Sequence, residues 1–175
     1  ENSIDLAHFP IVHGYTDIRV LEPMKLDAHR MSAGYEIARG IPFVDSTQKL
    51  RSQFQVNLHG IGFAHNQVHV PALGLHVRML ALSTPTVAGK VELRLGVSMQ
   101  REGLNWAAQL SLPAIHRAIT HTIVGDFKQD LAVWNHKAYL RPPVLSPGDG
   151  PIGDFRKWCK QFYSAAYQNR QVRYA

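Results

Sequence analysis

Val91-Glu92-Leu93-Arg94-Leu95-Gly96-Val97-Ser98 alternates Val and Leu strictly with polar or small residues. A two-residue period is the mark of a half-buried β-strand, because successive side chains point to opposite faces, and its apolar face is expected to meet the core. Leu75 to Leu82, ahead of the Ser83-Thr84-Pro85 turn, and Ser52 to Leu58, ending at Gly60, read the same way. Met31 to Ala38 and Ile61 to Val70 show a fainter version of the pattern. From Thr16 to about Gln100 the chain is therefore expected to form extended segments separated by Gly, Pro, Asn and Asp, which is antiparallel sheet.

Beyond Gly103 the period changes. Trp106, Leu110, Ala114, Ile115, Ala118 and Ile119 recur at spacings of three and four, and the pattern continues through Phe127, Leu131 and Trp134, with Pro113 starting or kinking a helix. The segment from Arg141-Pro142-Pro143 to Gly148-Asp149-Gly150-Pro151 is a loop by composition, and Ile152 to about Gln168 reads as a final amphipathic helix carrying Trp158, Phe162 and Tyr163 at helical spacing. Trp106, Trp134 and Trp158 are most simply core or interface anchors. A short helix at the start, then strands, then helices is an α+β order, with helices packed on one face of an antiparallel sheet.

The chain has 175 residues, 45% of them hydrophobic and 18% charged, enough to bury a core and short enough that residues 1–175 are expected to be one domain. No run of about 18 apolar residues and no signal-type segment is present, so neither a membrane span nor secretion is expected. A cytoplasmic setting is the reading, with any anchor on a preceding part left open. The formal net charge of +6 would suit an acidic partner or nucleic acid. The basic residues are scattered except for Arg156, Lys157, Lys160, Arg170 and Arg173, and no nucleic-acid motif accompanies them, so no nucleic-acid partner is expected. The single cysteine, Cys159, cannot form an internal disulfide or hold an iron–sulfur cluster. It lies in Arg156-Lys157-Trp158-Cys159-Lys160, where two basic neighbours could lower its pKa, although a helix-surface or packed thiol is the simpler reading.

Chemistry concentrates in the first thirteen residues, Glu1-Asn2-Ser3-Ile4-Asp5-Leu6-Ala7-His8-Phe9-Pro10-Ile11-Val12-His13. A metal that must bind oxygen wants two neutral imidazoles and one carboxylate on one side, with the opposite positions open. His8 and His13 lie five apart, a spacing that suits a helix followed by a turn, and Pro10 gives a reason for a break. Asp5 lies one turn before His8, where its carboxylate can accept the second ring N–H and fix the tautomer. In a chain with ten histidines such a pair does not decide by itself. His59, His65, His69 and His76 lie in or beside strands, with His65 and His69 able to share a face, and they read as structural or solvated, as do His29, His116, His121 and His136.

The order Glu-Asn-x-x-Asp-x-x-His-x-x-x-x-His resembles the iron-site segment of Rieske-type non-haem iron oxygenase α subunits, with Glu1, Asn2, Asp5, His8 and His13 all on the pattern. At the other end Trp134-Asn135-His136-Lys137-Ala138-Tyr139, Gly148-Asp149-Gly150-Pro151-Ile152, Phe155-Arg156-Lys157-Trp158 and Gln161-Phe162-Tyr163 resemble one subgroup. That subgroup contains the cholesterol 7-desaturases and the 3-ketosteroid 9α-hydroxylase oxygenases. The middle sheet matches only in general character.

The resemblance implies a helix-grip, START-like catalytic domain with a mononuclear Fe(2+). It makes His8 and His13 two iron ligands, Asn2 a pocket-lining residue and Asp5 a bridge toward the Rieske cluster of a neighbouring subunit. The third ligand would be Asp130, with Asp126, four residues earlier on the same face of a helix, as its competitor. It further implies O2, electrons from a ferredoxin or flavin reductase, a homotrimer, and an apolar steroid or sterol substrate that is hydroxylated or desaturated. The [2Fe–2S] cluster of the family sits on an N-terminal Rieske domain with Cys-x-His and Cys-x-x-His, a motif this sequence lacks, so the chain reads as the mononuclear-iron part of something longer that would not turn over alone. Other classes are a steroid- or lipid-binding module without chemistry, a basic adaptor, and a hydrolytic zinc site, for which no general base is evident.

Overall fold

The computed structural model describes residues 1–40, 49–87, 89–103, 109–138, 140, 142–146 and 148–164. Strands β1 (Thr16–Asp27), β2 (Arg30–Gly40), β3 (Lys49–His59), β4 (Phe63–Val70), β5 (Leu75–Pro85) and β6 (Val91–Arg101) pair in sequence order as one antiparallel sheet. Helices α1 (His8–His13), α2 (Leu112–Trp134) and α3 (Ile152–Cys159) accompany it, with 3-10 turns at Asn2–Ile4, Pro71–Leu73 and Lys160–Phe162. The class is α+β. Every stretch with a period of two lies in a strand, save that Ile61 and Gly62 belong to the turn before β4. β1, by contrast, has no clean alternation, because its pairing with β2 slips between Thr16 and Arg19, Val20 and Glu22, and Glu22 and Lys25. Each slip sends the following side chains to the other face, which erases the period from the sequence.

The pairing registers place Val20, Tyr35, Phe54, Val68, Val77 and Met99 in one row that crosses all six strands. The next row, on the opposite face, is Glu22, Gly34, Gln55, Gln67, Arg78 and Ser98. One face of the sheet is thus apolar and the other polar, and the helices belong on the first. They cover it in two parts. Ile152, Phe155, Trp158 and Cys159 of α3, with Ile4, pack on Met31, Ala33, Tyr35, Ile37 and Val56 of β2 and β3. Ile119 and Ile123 of α2 pack on Val70, Leu75 and Val77 of β4 and β5. The first cluster is closed, with Ile4, Ala33 and Val56 fully buried, whereas in the second Met79, Val97, Met99, Ile119 and Ile123 are only partly buried.

Two expectations about the helices need correction. The apolar stripe of α2 does not continue through Leu131, which is 44% exposed, and the buried residue of its last turns is Asp130. The inward face at that level looks onto the histidines of α1 rather than onto the sheet. The final helix ends at Cys159, passes through one 3-10 turn and is extended at Tyr163 (φ −93°, ψ 141°). Gln161 Nε2 bonds back to the carbonyls of Ala28 and Trp158, at 3.0 Å each, and holds the chain there. Trp106, Arg170, Arg173 and the stretch to Gln168 lie outside the described residues.

Cys159 is buried, and burial pushes its thiol up to about 11. The nearby cations do not activate it: Arg156 is bound to Glu1 and Lys157 to Asp154. Among the described residues no helix is long and apolar enough to cross a membrane.

Candidate metal centre

Both histidines lie in α1, His8 as its first residue and His13 as its last. Pro10 therefore does not break the helix between them. It occupies the first turn, where its missing N–H would have no intrahelical partner anyway. Gly14 ends the helix with φ +66°, a left-handed conformation that glycine adopts without a Cβ penalty, and donates its N–H to Phe9 O.

On α2, Asp130 faces these histidines. Its Oδ1 lies 2.7 Å from His8 Nε2 and 3.3 Å from His13 Nε2, and the two ring nitrogens are 3.0 Å apart. This is the one group of three His, Cys, Asp or Glu side chains among the described residues with ligand atoms converging within 4.8 Å. Asp130 Oδ1 is buried, with a ring nitrogen on either side and no other protein donor to satisfy it. A buried carboxylate oxygen facing two imidazole nitrogens across 3 Å is a set of donors arranged for a cation, and the residues fit a metal ion on chemical grounds. Burial raises the Asp130 pKa, but His13 and His8 outweigh it and hold the carboxyl down at about 2. For His13, burial works against the charged form, and Asp130, Gln129 and Asp126 together carry its pKa above the ordinary imidazole value.

Asp126, the competing carboxylate, is engaged elsewhere. Its Oδ2 accepts hydrogen bonds from Tyr15 Oη and Arg39 Nη1, each at 3.1 Å, and its Oδ1 stays 3.9 Å from His13 Nδ1. Gln129 Oε1 lies 3.0 Å from that same Nδ1. Asn2 Nδ2 lies 3.4 Å from His8 Nε2, at the rim of the cluster. Asp5 does not meet the His8 ring as its spacing suggests: its Oδ1 accepts the His8 backbone N–H at 3.2 Å. Asp5 immediately precedes the turn into α1, and the free amides of that turn claim its carboxylate first.

The two ends of the chain that carry the sequence motifs hold each other. Glu1 accepts from Arg156 through both carboxylate oxygens and from Lys137, and Arg156 also bonds Leu140 O at 2.7 Å. Gly150 lies flat against Ile4, so that any Cβ there would collide with the Ile4 carbonyl. These contacts fix the 3-10 turn that leads into α1. Elsewhere, His65 and His69 do share the polar face, where His69 stacks on His76 with ring centroids 4.2 Å apart, and His76 bonds Glu102. His116 reaches Val97 O and His136 reaches Ala132 O.

Gln129, Tyr15 and Arg39 are not visible as site residues in the sequence. Gln129 adjoins Asp130 and Tyr15 follows His13 by two, but Arg39 belongs to β2 and only the fold brings it to α2.

Residues 1–163 match the family described as 3-Ketosteroid 9alpha-hydroxylase C-terminal domain. Among curated proteins, 94% of the chain aligns at 28% identity with 40% of a cholesterol 7-desaturase of Drosophila melanogaster. At 23% identity, 93% of it aligns with 44% of a 3-ketosteroid-9-alpha-monooxygenase oxygenase component of Rhodococcus rhodochrous. A 39-residue stretch is 42% identical to a cholesterol 7-desaturase of Caenorhabditis elegans. The chain thus spans about two-fifths of the length of these longer relatives. The match covers the whole sheet and both motif-bearing ends, and the chain belongs to the 3-ketosteroid 9alpha-hydroxylase C-terminal domain family.

Proposed function

We propose that this chain is the mononuclear-iron catalytic domain of a Rieske-type oxygenase acting on an apolar steroid or sterol, with His8, His13 and Asp130 as the iron ligands. The observation that carries the reading is the spacing of those three atoms. With bonds of about 2.1 Å, ligands at right angles stand about 3.0 Å apart and ligands at tetrahedral angles about 3.4 Å apart. The separations of 2.7, 3.0 and 3.3 Å are those of donors that can share one metal ion. Two imidazoles and one carboxylate so placed would suit a mononuclear ferrous ion and leave it positions for O2.

Bound there, ferrous iron would supply the activation of O2 for hydroxylation or desaturation. The chain's own residues do the rest. α1 and α2 hold the three donors from two directions, and Asn2 places an amide beside His8 at the rim. The partly buried row of Met79, Val97, Met99, Ile119 and Ile123 offers an apolar wall to a fused-ring substrate. Asp5 is the residue that would face the Rieske [2Fe–2S] cluster of a neighbouring subunit in a homotrimer of the full-length protein. The cluster itself needs ligands that one cysteine cannot provide, so electrons from the reductase must arrive through another domain.

The test is whether the ligand and the metal share one site. The chain is loaded anaerobically with Fe(II), treated with nitric oxide and examined by electron spin resonance with and without a sterol or 3-ketosteroid. A nitrosyl signal that changes on adding the steroid supports the proposal. Steroid binding that leaves the signal untouched and survives chelation would instead make this a binding module without chemistry.

A further inference from the structure

We propose that Gln129 is the positioning residue that sets the tautomer of His13, and that Tyr15 and Arg39 keep Asp126 from replacing it. The proposal rests on the iron-site reading above. His13 points Nε2 at Asp130 and His8, and its other nitrogen, Nδ1, lies 3.0 Å from Gln129 Oε1. An amide oxygen only accepts, so with a metal on Nε2 this contact selects the tautomer in which Nδ1 carries the proton and Nε2 presents its lone pair to the cluster. Without an acceptor at Nδ1, the proton is free to move to Nε2 and block the ligand position.

The acceptor need not have been an amide. Asp126 precedes Gln129 by three residues on α2, so both lie on the same helix face, and its Oδ1 is already 3.9 Å from Nδ1. The selection is made by the opposing elements. Tyr15, at the entrance to β1, and Arg39, on β2, both donate to Asp126 Oδ2, and the Arg39 guanidinium lies 5.2 Å from the Tyr15 ring centroid, which fixes the pair as a unit. A carboxylate on His13 would draw the Nδ1 proton, strengthen Nε2 as a donor and bring a second negative charge to the centre. The neutral amide does neither, so the centre keeps two neutral ligands and one anionic one.

Two readouts test this in the 175-residue chain. Nitrogen-15 NMR of the metal-free protein reports the His13 tautomer, and anaerobic Fe(II) titration with the nitrosyl spin signal reports the metal. Gln129→Leu should lose the Nδ1–H preference and weaken Fe(II) binding by about 10- to 100-fold. Gln129→Glu, nearly isosteric, should keep both the tautomer and the binding while shifting the nitrosyl signal. The double variant Tyr15→Phe/Arg39→Leu should shift that signal in the same direction, because it releases Asp126. Unchanged tautomer and affinity in Gln129→Leu, with iron lost in His13→Ala, would overturn the proposal and leave the iron site standing. Iron retained by His13→Ala would be a different failure, of the site reading and of this proposal with it.

Discussion

Arg156 and Glu1, 155 positions apart, close on each other through two hydrogen bonds, so the segment that carries His8 is anchored to α3 from the far end of the chain. Both side chains are largely buried. Removing the guanidinium leaves a carboxylate with little water and, among the described side chains, Lys137 as its remaining ion-pair partner. Arg156→Leu is expected to cost about 2–4 kcal/mol, read as a lower midpoint in urea unfolding. Burial raises the Glu1 pKa, but Arg156 and the other nearby charges hold it below the ordinary value. Its contribution is therefore present above about pH 4.5 and lost as pH falls through the folded value, and the wild-type advantage over Arg156→Leu should shrink in acid. An equal difference at pH 7 and pH 3 would argue against this coupling.

Two glycines should respond in opposite directions to the same substitution. At Gly150 a methyl group meets the Ile4 carbonyl, and Gly150→Ala should destabilise by about 1–3 kcal/mol through overpacking. At Gly125, inside α2, a Cβ meets nothing within 4 Å, and Gly125→Ala should stabilise by about 0.5–1 kcal/mol. Thermal unfolding of both variants distinguishes a close-approach glycine from a merely tolerated one.

Ala28 sits in the β1–β2 turn with φ +44°, an uncomfortable value for a residue with a Cβ. Its carbonyl accepts from Trp158 Nε1 at 2.7 Å and from Gln161 Nε2 at 3.0 Å, which offsets the strain. Ala28→Gly should retain both bonds and gain up to about 1 kcal/mol. A loss of stability would mean that the turn is not strained.

Tyr15 and Tyr35 are both pushed up to about 12, and burial is the largest cause for each. The Asp126 carboxylate raises Tyr15 further, whereas Tyr35 has no such neighbour among its causes. A tyrosine pKa raised in the folded state stabilises fully below pH 10, and the contribution fades as pH rises toward 12. Asp126→Asn should lower the Tyr15 titration and leave that of Tyr35 in place, read by tyrosinate absorbance against Tyr15→Phe and Tyr35→Phe controls.

The sheet was legible wherever one face is apolar and the register is unbroken, as in Val91 to Ser98, although on that strand Val97 packs on the core while Val91 and Leu95 stay exposed. β1 fell inside the extended region expected from Thr16 onward but was not singled out as a strand, because its bulges scramble the alternation. The two histidines and Asp130 announced themselves through residue type and family pattern. Their partners did not, since Gln129, Tyr15 and Arg39 gain their roles only from the packing of α2 against α1 and β2. Pro10 misled for a related reason: proline reads as a breaker until its place in the first turn is known.

His8, His13 and Asp130, and not Asp126, are proposed to hold a single iron. Iron stoichiometry after anaerobic Fe(II) loading, measured on the chain and on His13→Ala, Asp130→Ala and Asp126→Ala, tests it most directly. One iron per chain, lost in the first two variants and kept in the third, is the expected result. Folded protein that takes up no specific iron, or whose iron is indifferent to His13 and Asp130, would contradict it.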